Sequence, residues 1–408
     1  MSKINAGILI GSGAYGKVYK NTNKAIKISG EDDFDYAIKE VAIMKYLRTS
    51  YNYCANIIQC DKVTLVDHQF YNTEMPYFNY NLEDFLKKYT SFSETIAAQL
   101  ITAVYYMHRM NVIHNDIKPA NILINFANCN NSEINVVLCD FNISSIKLEK
   151  VNGFVQSLNY RAPEIVEENK SIEYNPIIDM WSVGCIMFEM ISLSPLMGYY
   201  TSSSSSIIIC KIFGLRVLRE HDRRIKMLNI INRRDVKDVL HEKLGGKLTT
   251  LPPWYRKIMS RCLIPNIDQR IDSCAAYRMI PTDLLPGKIL ASQPLEIKNT
   301  DHQIGSYFSA LDGEIVSNYG TQTIWFAKQL HLKISEKYKT ELSKYFVDSQ
   351  MRIQLLYSCL FIAVAICGIP SPEYIDCIKD AIKPVSMIDI VDEILQLIGY
   401  DPITFIQD

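Results

Sequence analysis

A chain of 408 residues is long enough for two domains, or for one large domain with an appendage. Hydrophobic residues make up 48% and charged ones 21%, which predicts a sizeable packed core and excludes wholesale disorder. Lys and Arg number 43 against 44 Asp and Glu, a balance that excludes a nucleic-acid footprint spread over the whole protein; no nucleic-acid partner is expected. The 11 cysteines are odd in number and form no Cys-x-x-Cys pair, and Met1–Ala6 has no apolar core. Both features read as reduced thiols in an intracellular protein, cytoplasmic or nuclear.

In chain order, the first segments read as short strands: Gly7–Ile10, Lys17–Lys20 and Ala25–Ile28. Asn21-Thr22-Asn23 is a polar turn suited to a hairpin between the second and third. A helix is predicted over Asp35–Leu47, with Ala37, Val41, Met44 and Leu47 at helical spacing. From Asn81 to about Thr282 helices dominate, the clearest being Ile96–Met110 and Ile178–Ile191. Thr201–Ser206 reads as a surface loop, and Asp283–Asn299, broken by Pro286, Gly287 and Pro294, as a linker. Further helices are predicted at Gln322–Lys337, Arg352–Cys367 and Ile388–Ile398. The apolar run Leu355–Ile369 is interrupted by Ser358 and Gly368 and falls short of the roughly 20 residues of a membrane span. It reads as a buried helix, and no membrane partner is expected.

Chemistry first shows in Gly11-Ser12-Gly13-Ala14-Tyr15-Gly16-Lys17-Val18, between two strands. Glycines let the backbone approach a phosphate and adopt positive φ, and free N–H groups are anion ligands. A dinucleotide site would need a helix directly after the third glycine; here a strand follows. Lys27 is the lone charge in the apolar strand Ala25–Ile28. It either points to solvent or is held over phosphates by a carboxylate, for which Glu40 on the next helix is the candidate. In Val112–Ile124, apolar residues bracket a polar loop. There Asp116 can accept a hydroxyl proton, Lys118 can balance charge on a transferred phosphoryl group, and Asn121 can hold a metal. Asp140 ends the apolar strand Val136–Cys139 and is either a turn former or, with Asn121, an oxygen ligand suited to Mg²⁺.

These elements, in this order, resemble the eukaryotic protein kinases over roughly residues 5 to 282. The resemblance implies an α+β bilobal kinase fold, with a β-rich first lobe and a helical second lobe, and ATP and Mg²⁺ as cofactors. It implies ATP contacts from Ile10, Gly11, Ser12, Gly13, Ala14, Tyr15, Gly16, Lys17, Val18, Ala25 and Lys27. It further implies a Lys27–Glu40 pair, Asp116 as base beside Lys118, and Asn121 and Asp140 on the metal. Ala162-Pro163-Glu164 would close the activation segment, with Arg270 as partner of Glu164 and Asp179–Gly184 starting the buried central helix. Lys118–Asn121, together with Ser157 ahead of Tyr160–Glu164, looks like the serine/threonine branch, acting on protein substrates. Tyr160-Arg161 and the helix Ala37–Val41 are similar to the cyclin-dependent kinases.

Five positions depart from the pattern of the family or of its relatives. Asn115 replaces the arginine that usually precedes the catalytic aspartate, and Asn152 falls where those kinases carry a phosphothreonine. Activity without activation-loop phosphorylation is therefore expected. Asn142 replaces a glycine after Asp140-Phe141, and asparagine tolerates the left-handed region that the turn is expected to use. Gln156 and Asn159 differ from the residues of proline-directed relatives, and Thr73–Pro76 is taken as the hinge. An ATP-binding pseudokinase scaffold is the alternative to an enzyme. A small-molecule kinase of related fold is disfavoured by Ala162-Pro163-Glu164.

The segment from about 303 to 405 resembles a cyclin box through its apolar pattern, with Ala365 and Val391 where cyclins carry a lysine and a glutamate. The expected organisation is a kinase domain at 1–282, a linker at 283–299 and an all-α cyclin-like domain at 300–408. That domain would contact a kinase either within the chain, setting the Glu40 helix, or between molecules. An extended linker of this length reaches about 55–60 Å, enough to cross a kinase-sized globule about 50 Å wide. The richness in Asn, Ile and Tyr fits an AT-rich genome, and such a fusion would suit a large DNA virus acting inside a host cell.

Overall fold

The computed structural model describes residues 7–49, 53–66, 70–126, 134–146, 155–166, 175–196, 236–286, 289, 321–347, 349–367 and 387–407. Asn152, Thr201–Ser206, Gly287 and most of the expected linker lie outside them, as do Met1–Ala6.

The first unit is a five-stranded antiparallel sheet in the order β1-β2-β3-β5-β4. Its strands are β1 (Ile8–Gly13), β2 (Gly16–Asn21), β3 (Lys24–Ser29), β4 (Lys62–Val66) and β5 (Phe70–Pro76). Asn21 pairs with Lys24, so Thr22 and Asn23 form the expected hairpin turn, with Thr22 at φ 54°. Helix α1 (Phe34–Tyr46) crosses between β3 and β4 and matches the predicted helix to within a residue at each end.

The second unit is helical with two small sheets. It contains β6 (Tyr80–Asn81), α2 (Leu82–Leu86), α3 (Ser93–Arg109), β7 (Val112–Ile113), β8 (Ile122–Phe126), β9 (Ile134–Leu138) and β10 (Ser145–Ile146). Then follow α4 (Pro163–Val166), α5 (Ile177–Ser192), α6 (Val236–Leu244), α7 (Gly246–Thr250), α8 (Pro253–Cys262) and α9 (Ser273–Tyr277). Helix α5 is buried from Ile178 to Phe188 and packs against α3, α6 and α8, so the rest of the unit is built around it. A helix apolar on every side has no face to give to water. The 3₁₀ turn Thr282–Leu284 still packs on α3.

The last unit consists of α10 (Thr321–Lys337), α11 (Lys344–Val347), α12 (Ser349–Cys367), α13 (Met387–Leu397) and α14 (Pro402–Gln407). In α12 every side chain from Tyr357 to Cys367 is buried. The helix is the axis of its unit, packed by α10, α11 and α13, and it also touches α1 and β10. Among the described residues no helix is long and apolar enough to cross a membrane.

That contact explains a feature of α1 that its periodicity hides. A surface helix buries one stripe, yet Ala37 through Met44 are all buried, Lys39 and Glu40 included. One face lies on the sheet, and α12 and α14 cover the opposite side. Phe34 stacks on Phe361 of α12 (centroids 6.3 Å apart), and Tyr71 meets Tyr400 edge-on at 6.1 Å.

Candidate active site

Strand register sets the roof of the cleft. Val18 stands opposite Gly11 on one side and Lys27 on the other, and Ala25 stands opposite Met75 of β5, within the expected hinge segment. Ile10 remains 46% exposed at the outer edge. Ala14 and Tyr15 form the tip between the paired Gly13 and Gly16, and the tip is held by Ser29 Oγ donating to the Tyr15 carbonyl at 3.1 Å. The Tyr15 ring lies 4.3 Å from that of Tyr36 on α1. Of the three glycines only Gly16 has positive φ (137°), and a Cβ there would lie 2.6 Å from the Ile28 carbonyl oxygen. Gly11 and Gly13 do not need that conformation. A Cβ at either would have no neighbour closer than 3.8 Å, so the fold itself does not demand glycine at these two positions.

Beneath this roof Lys27 is buried, and its Nζ donates to Glu40 Oε2 at 2.8 Å, Asp140 Oδ1 at 3.1 Å and Asn142 Oδ1 at 3.0 Å. The edge-strand reading of Lys27, pointing to solvent, is thereby excluded. Burial disfavours its charge, but the two carboxylates outweigh burial and hold the ammonium well above the ordinary lysine range. Asp140 is likewise opposed by burial and is pulled below the usual carboxylate value by Lys27. The turn after β9 departs from expectation: the left-handed residue is Asp140 (φ 70°), not Asn142. Asn142 contributes a side-chain oxygen instead, which glycine could not supply.

The loop between β7 and β8 carries the second cluster. Asp116 Oδ2 accepts from Lys118 Nζ at 2.6 Å and from Asn121 Nδ2 at 3.3 Å. Its Oδ1 accepts from Ser157 Oγ at 2.7 Å and from the Ser157 amide at 3.1 Å. A second Asn121 Nδ2 bond to the Asp116 carbonyl (2.9 Å) fixes the loop across its own turn. The loop is anchored from below by Asp179 at the start of α5, a buried carboxylate that accepts from the His114 amide (2.8 Å) and the Asn115 amide (3.1 Å). His108 Nε2 lies 3.1 Å from the same carboxylate. The sequence marks Asp179 only as part of a helix start; an aspartate opening an otherwise apolar buried helix was the signal of its anchoring role.

Asn115 has φ 66°, and its side-chain Nδ2 donates to the Ile143 carbonyl (2.9 Å) and to Ser145 Oγ (2.7 Å). It thus ties the loop to the segment that leaves Asp140. Gln156, also left-handed at φ 68°, is a second residue whose work the sequence does not reveal. Its side chain bonds the Ile178 carbonyl, Ser182 Oγ and the Ala162 amide, and its carbonyl accepts two bonds from Arg161. These bonds set the backbone on which Ser157 meets Asp116. Glu164 and Arg270 form a two-point ion pair at 2.6 and 2.8 Å, with the Arg270 side chain wholly buried.

Asn121 and Asp140 offer an amide and a carboxylate. Among the described residues no three His, Cys, Asp or Glu side chains cluster as a metal cage. Few protein ligands and hard oxygen donors fit Mg²⁺, which keeps waters and takes phosphate oxygens, better than a metal that needs a full protein shell.

The protein kinase domain family model matches residues 5–279. A probable cell division protein kinase of Encephalitozoon cuniculi is 29% identical over 285 residues, covering 66% of this chain and 94% of that protein. Cyclin-dependent kinase-like 2 of Rattus norvegicus is 27% identical over 284 residues, covering 64% of this chain and 53% of that protein. A probable cyclin-dependent serine/threonine-protein kinase of Dictyostelium discoideum is 30% identical over 226 residues, half of this chain and 15% of that protein. The chain therefore spans most of the first relative and about half or less of the other two, and α10 to α14 lie beyond the matched family residues. With the family match running through both clusters of the cleft, the chain belongs to the protein kinase family.

Proposed function

We propose that the protein is an active serine/threonine kinase that transfers the γ-phosphate of ATP to protein hydroxyls. The observation that carries this reading is the meeting of Lys27 with both Glu40 and Asp140, which brings β3, α1 and the end of β9 into one cluster. The Lys27 ammonium, held in place by the two carboxylates, faces the phosphates of ATP under the Gly11–Gly16 roof. Asp116 accepts the proton of the incoming hydroxyl, and Lys118 beside it offsets the charge on the transferred group. Asn121 and Asp140 would hold Mg²⁺, which would supply charge neutralisation to the phosphates. Ser157, bonded to Asp116, marks where a substrate serine or threonine would approach.

The last unit acts as a cyclin-like regulator of its own chain in this reading, because α12 and α14 cover the helix that carries Glu40. Control by a loop phosphate is not needed. Asn115 uses two hydrogen bonds to hold the segment after Asp140, where an arginine would have to find an anion. An intracellular site of action suits the described cysteines, all of them free thiols.

Phosphate transfer from Mg-ATP to a generic basic protein, compared with Asp116→Ala and Lys27→Ala, tests the enzyme. Transfer by the wild type no greater than the Asp116→Ala background would replace this reading with a nucleotide-binding scaffold. Phosphatase-treated protein should retain full activity; a strict requirement for a phosphate between Asp140 and Glu164 would remove the claim about control.

A further inference from the structure

Tyr71 lies on β5 two residues before Thr73, the cross-strand partner of Lys27. Its hydroxyl leaves the kinase unit and donates to Asp392 Oδ1 on α13 at 3.0 Å. The same carboxylate accepts from Tyr400 at 2.7 Å and from Gln396 Nε2 at 2.6 Å. These three donors are not equivalent. Gln396 is exposed and Tyr400 half-buried, so water can replace their acceptor. Tyr71 is 1% exposed, with Phe34 edge-on at 4.9 Å and Tyr400 at 6.1 Å. Without Asp392 its hydroxyl keeps only the Tyr400 hydroxyl beside it, itself a donor that has lost its acceptor.

We infer that Asp392 is the specificity-determining residue of this contact: the buried Tyr71 hydroxyl makes the kinase unit selective for a helical partner presenting an acceptor at that point. The chain's own α13 is such a partner. An apolar side chain in the same place would deprive the paired phenols Tyr71 and Tyr400 of their shared acceptor and weaken docking by roughly tenfold. Strength alone does not explain the arrangement. A buried carboxylate gives up its hydration, and an apolar pair of matching shape would dock as well without that loss. What the polar pair adds is discrimination, because it penalises any occupant that lacks the acceptor. Foreign helical regulators without that group are thereby disfavoured on this face of α1 and β5. The inference rests on the proposed control within the chain for its consequence at Lys27, but the contact can be tested by itself.

Amide hydrogen exchange of β5 and α1 in the full chain reads the docking equilibrium. Asp392→Asn keeps an oxygen for Tyr71 and should stay within about threefold of the wild type. Asp392→Leu should exchange roughly tenfold faster. Adding Tyr71→Phe to Asp392→Leu removes the buried hydroxyl that has lost its carboxylate and should bring exchange back to within about threefold. The inference is overturned if Asp392→Leu protects as the wild type does, if Asp392→Asn opens as far as Asp392→Leu, or if the double variant fails to recover. Phosphate transfer by the same variants reads the regulatory proposal separately. The expected exchange pattern with unchanged turnover supports the selective contact and refutes control within the chain.

Discussion

In the cleft, the pairs are charge against charge: Lys27 with Glu40 and Asp140, Asp116 with Lys118, Arg270 with Glu164. At the contact between the kinase unit and the C-terminal unit, the buried carboxylate of Asp392 is met by two phenols and an amide, among aromatic rings in edge-on and stacked contact. The difference follows from what each region does. A phosphate-transfer site needs fixed charges that outlast the arrival and departure of highly charged groups. A surface that only has to fit one partner can rely on area and on a single acceptor placed correctly. On the proposed reading, charge pairing in the cleft serves chemistry, and neutral donors around one carboxylate at the contact serve recognition.

The largest expected effect breaks the comparison on the cleft side. Asp116→Ala should lower kcat by about 10²–10⁴-fold, the usual worth of a positioned base. Hydrogen exchange at α1 and β5 should stay as in the wild type, because Asp116 touches neither the Tyr71 contact nor α12. Steady-state kinetics and exchange on one preparation check both halves. A parallel loss of docking would mean that the two regions are not separable in the way their bonding suggests.

The same contrast governs how much of each region was legible in the sequence. Lys27, Asp116, Lys118, Asn121 and Asp140 are polar residues bracketed by apolar segments, which marks them as candidates, while the resemblance to protein kinases implies their roles and picks Glu40 as the partner of Lys27. The strands and helices around them follow from period and turn chemistry, and α1, α3, α5, α10, α12 and α13 fall within a few residues of expectation. What stayed hidden are bonds between segments far apart in the chain. Tyr71 and Asp392 are separated by more than 300 residues, and neither is unusual in its local setting. Asn115 and Gln156 read as losses of a familiar residue, yet each gains bonds that only the folded backbone reveals. At the turn after β9, residue preference points to Asn142, but Asp140 takes the left-handed conformation while both side chains bond Lys27, an arrangement only the fold reveals.

A smaller effect sharpens the view of the roof. Gly16→Ala forces a Cβ against the Ile28 carbonyl at positive φ, and should destabilise the first unit by about 2 kcal/mol. Gly13→Ala meets open space and should change stability by less than about 0.5 kcal/mol. It should nevertheless raise the KM for ATP, because the methyl group occupies the room left for phosphate. Denaturant melts and ATP titrations of the two variants separate a glycine needed by the fold from one needed by the ligand.

The smallest effect concerns Lys39, the buried charge on the outer side of α1. Burial pushes its pKa down to about 8, with Cys367 at the end of α12 and Asp35 opposing that shift. An exposed lysine titrates near 10.4, so between about pH 8 and 10.4 the opened chain binds more protons than the docked one. Stability attributable to this group must then rise with pH in that window, and below it the penalty for burying the ammonium is present in full. The wild type should gain about 1 kcal/mol between pH 8 and 9 relative to Lys39→Met, which has no proton to lose. Lys39→Met should also dock more tightly at pH 7, since a similar volume is buried without the charge. If the two proteins melt in parallel across this range, the ammonium is neutralised by its surroundings. The outer face of α1 would then follow the rule of the cleft, charge matched with charge, and not that of the Tyr71 contact.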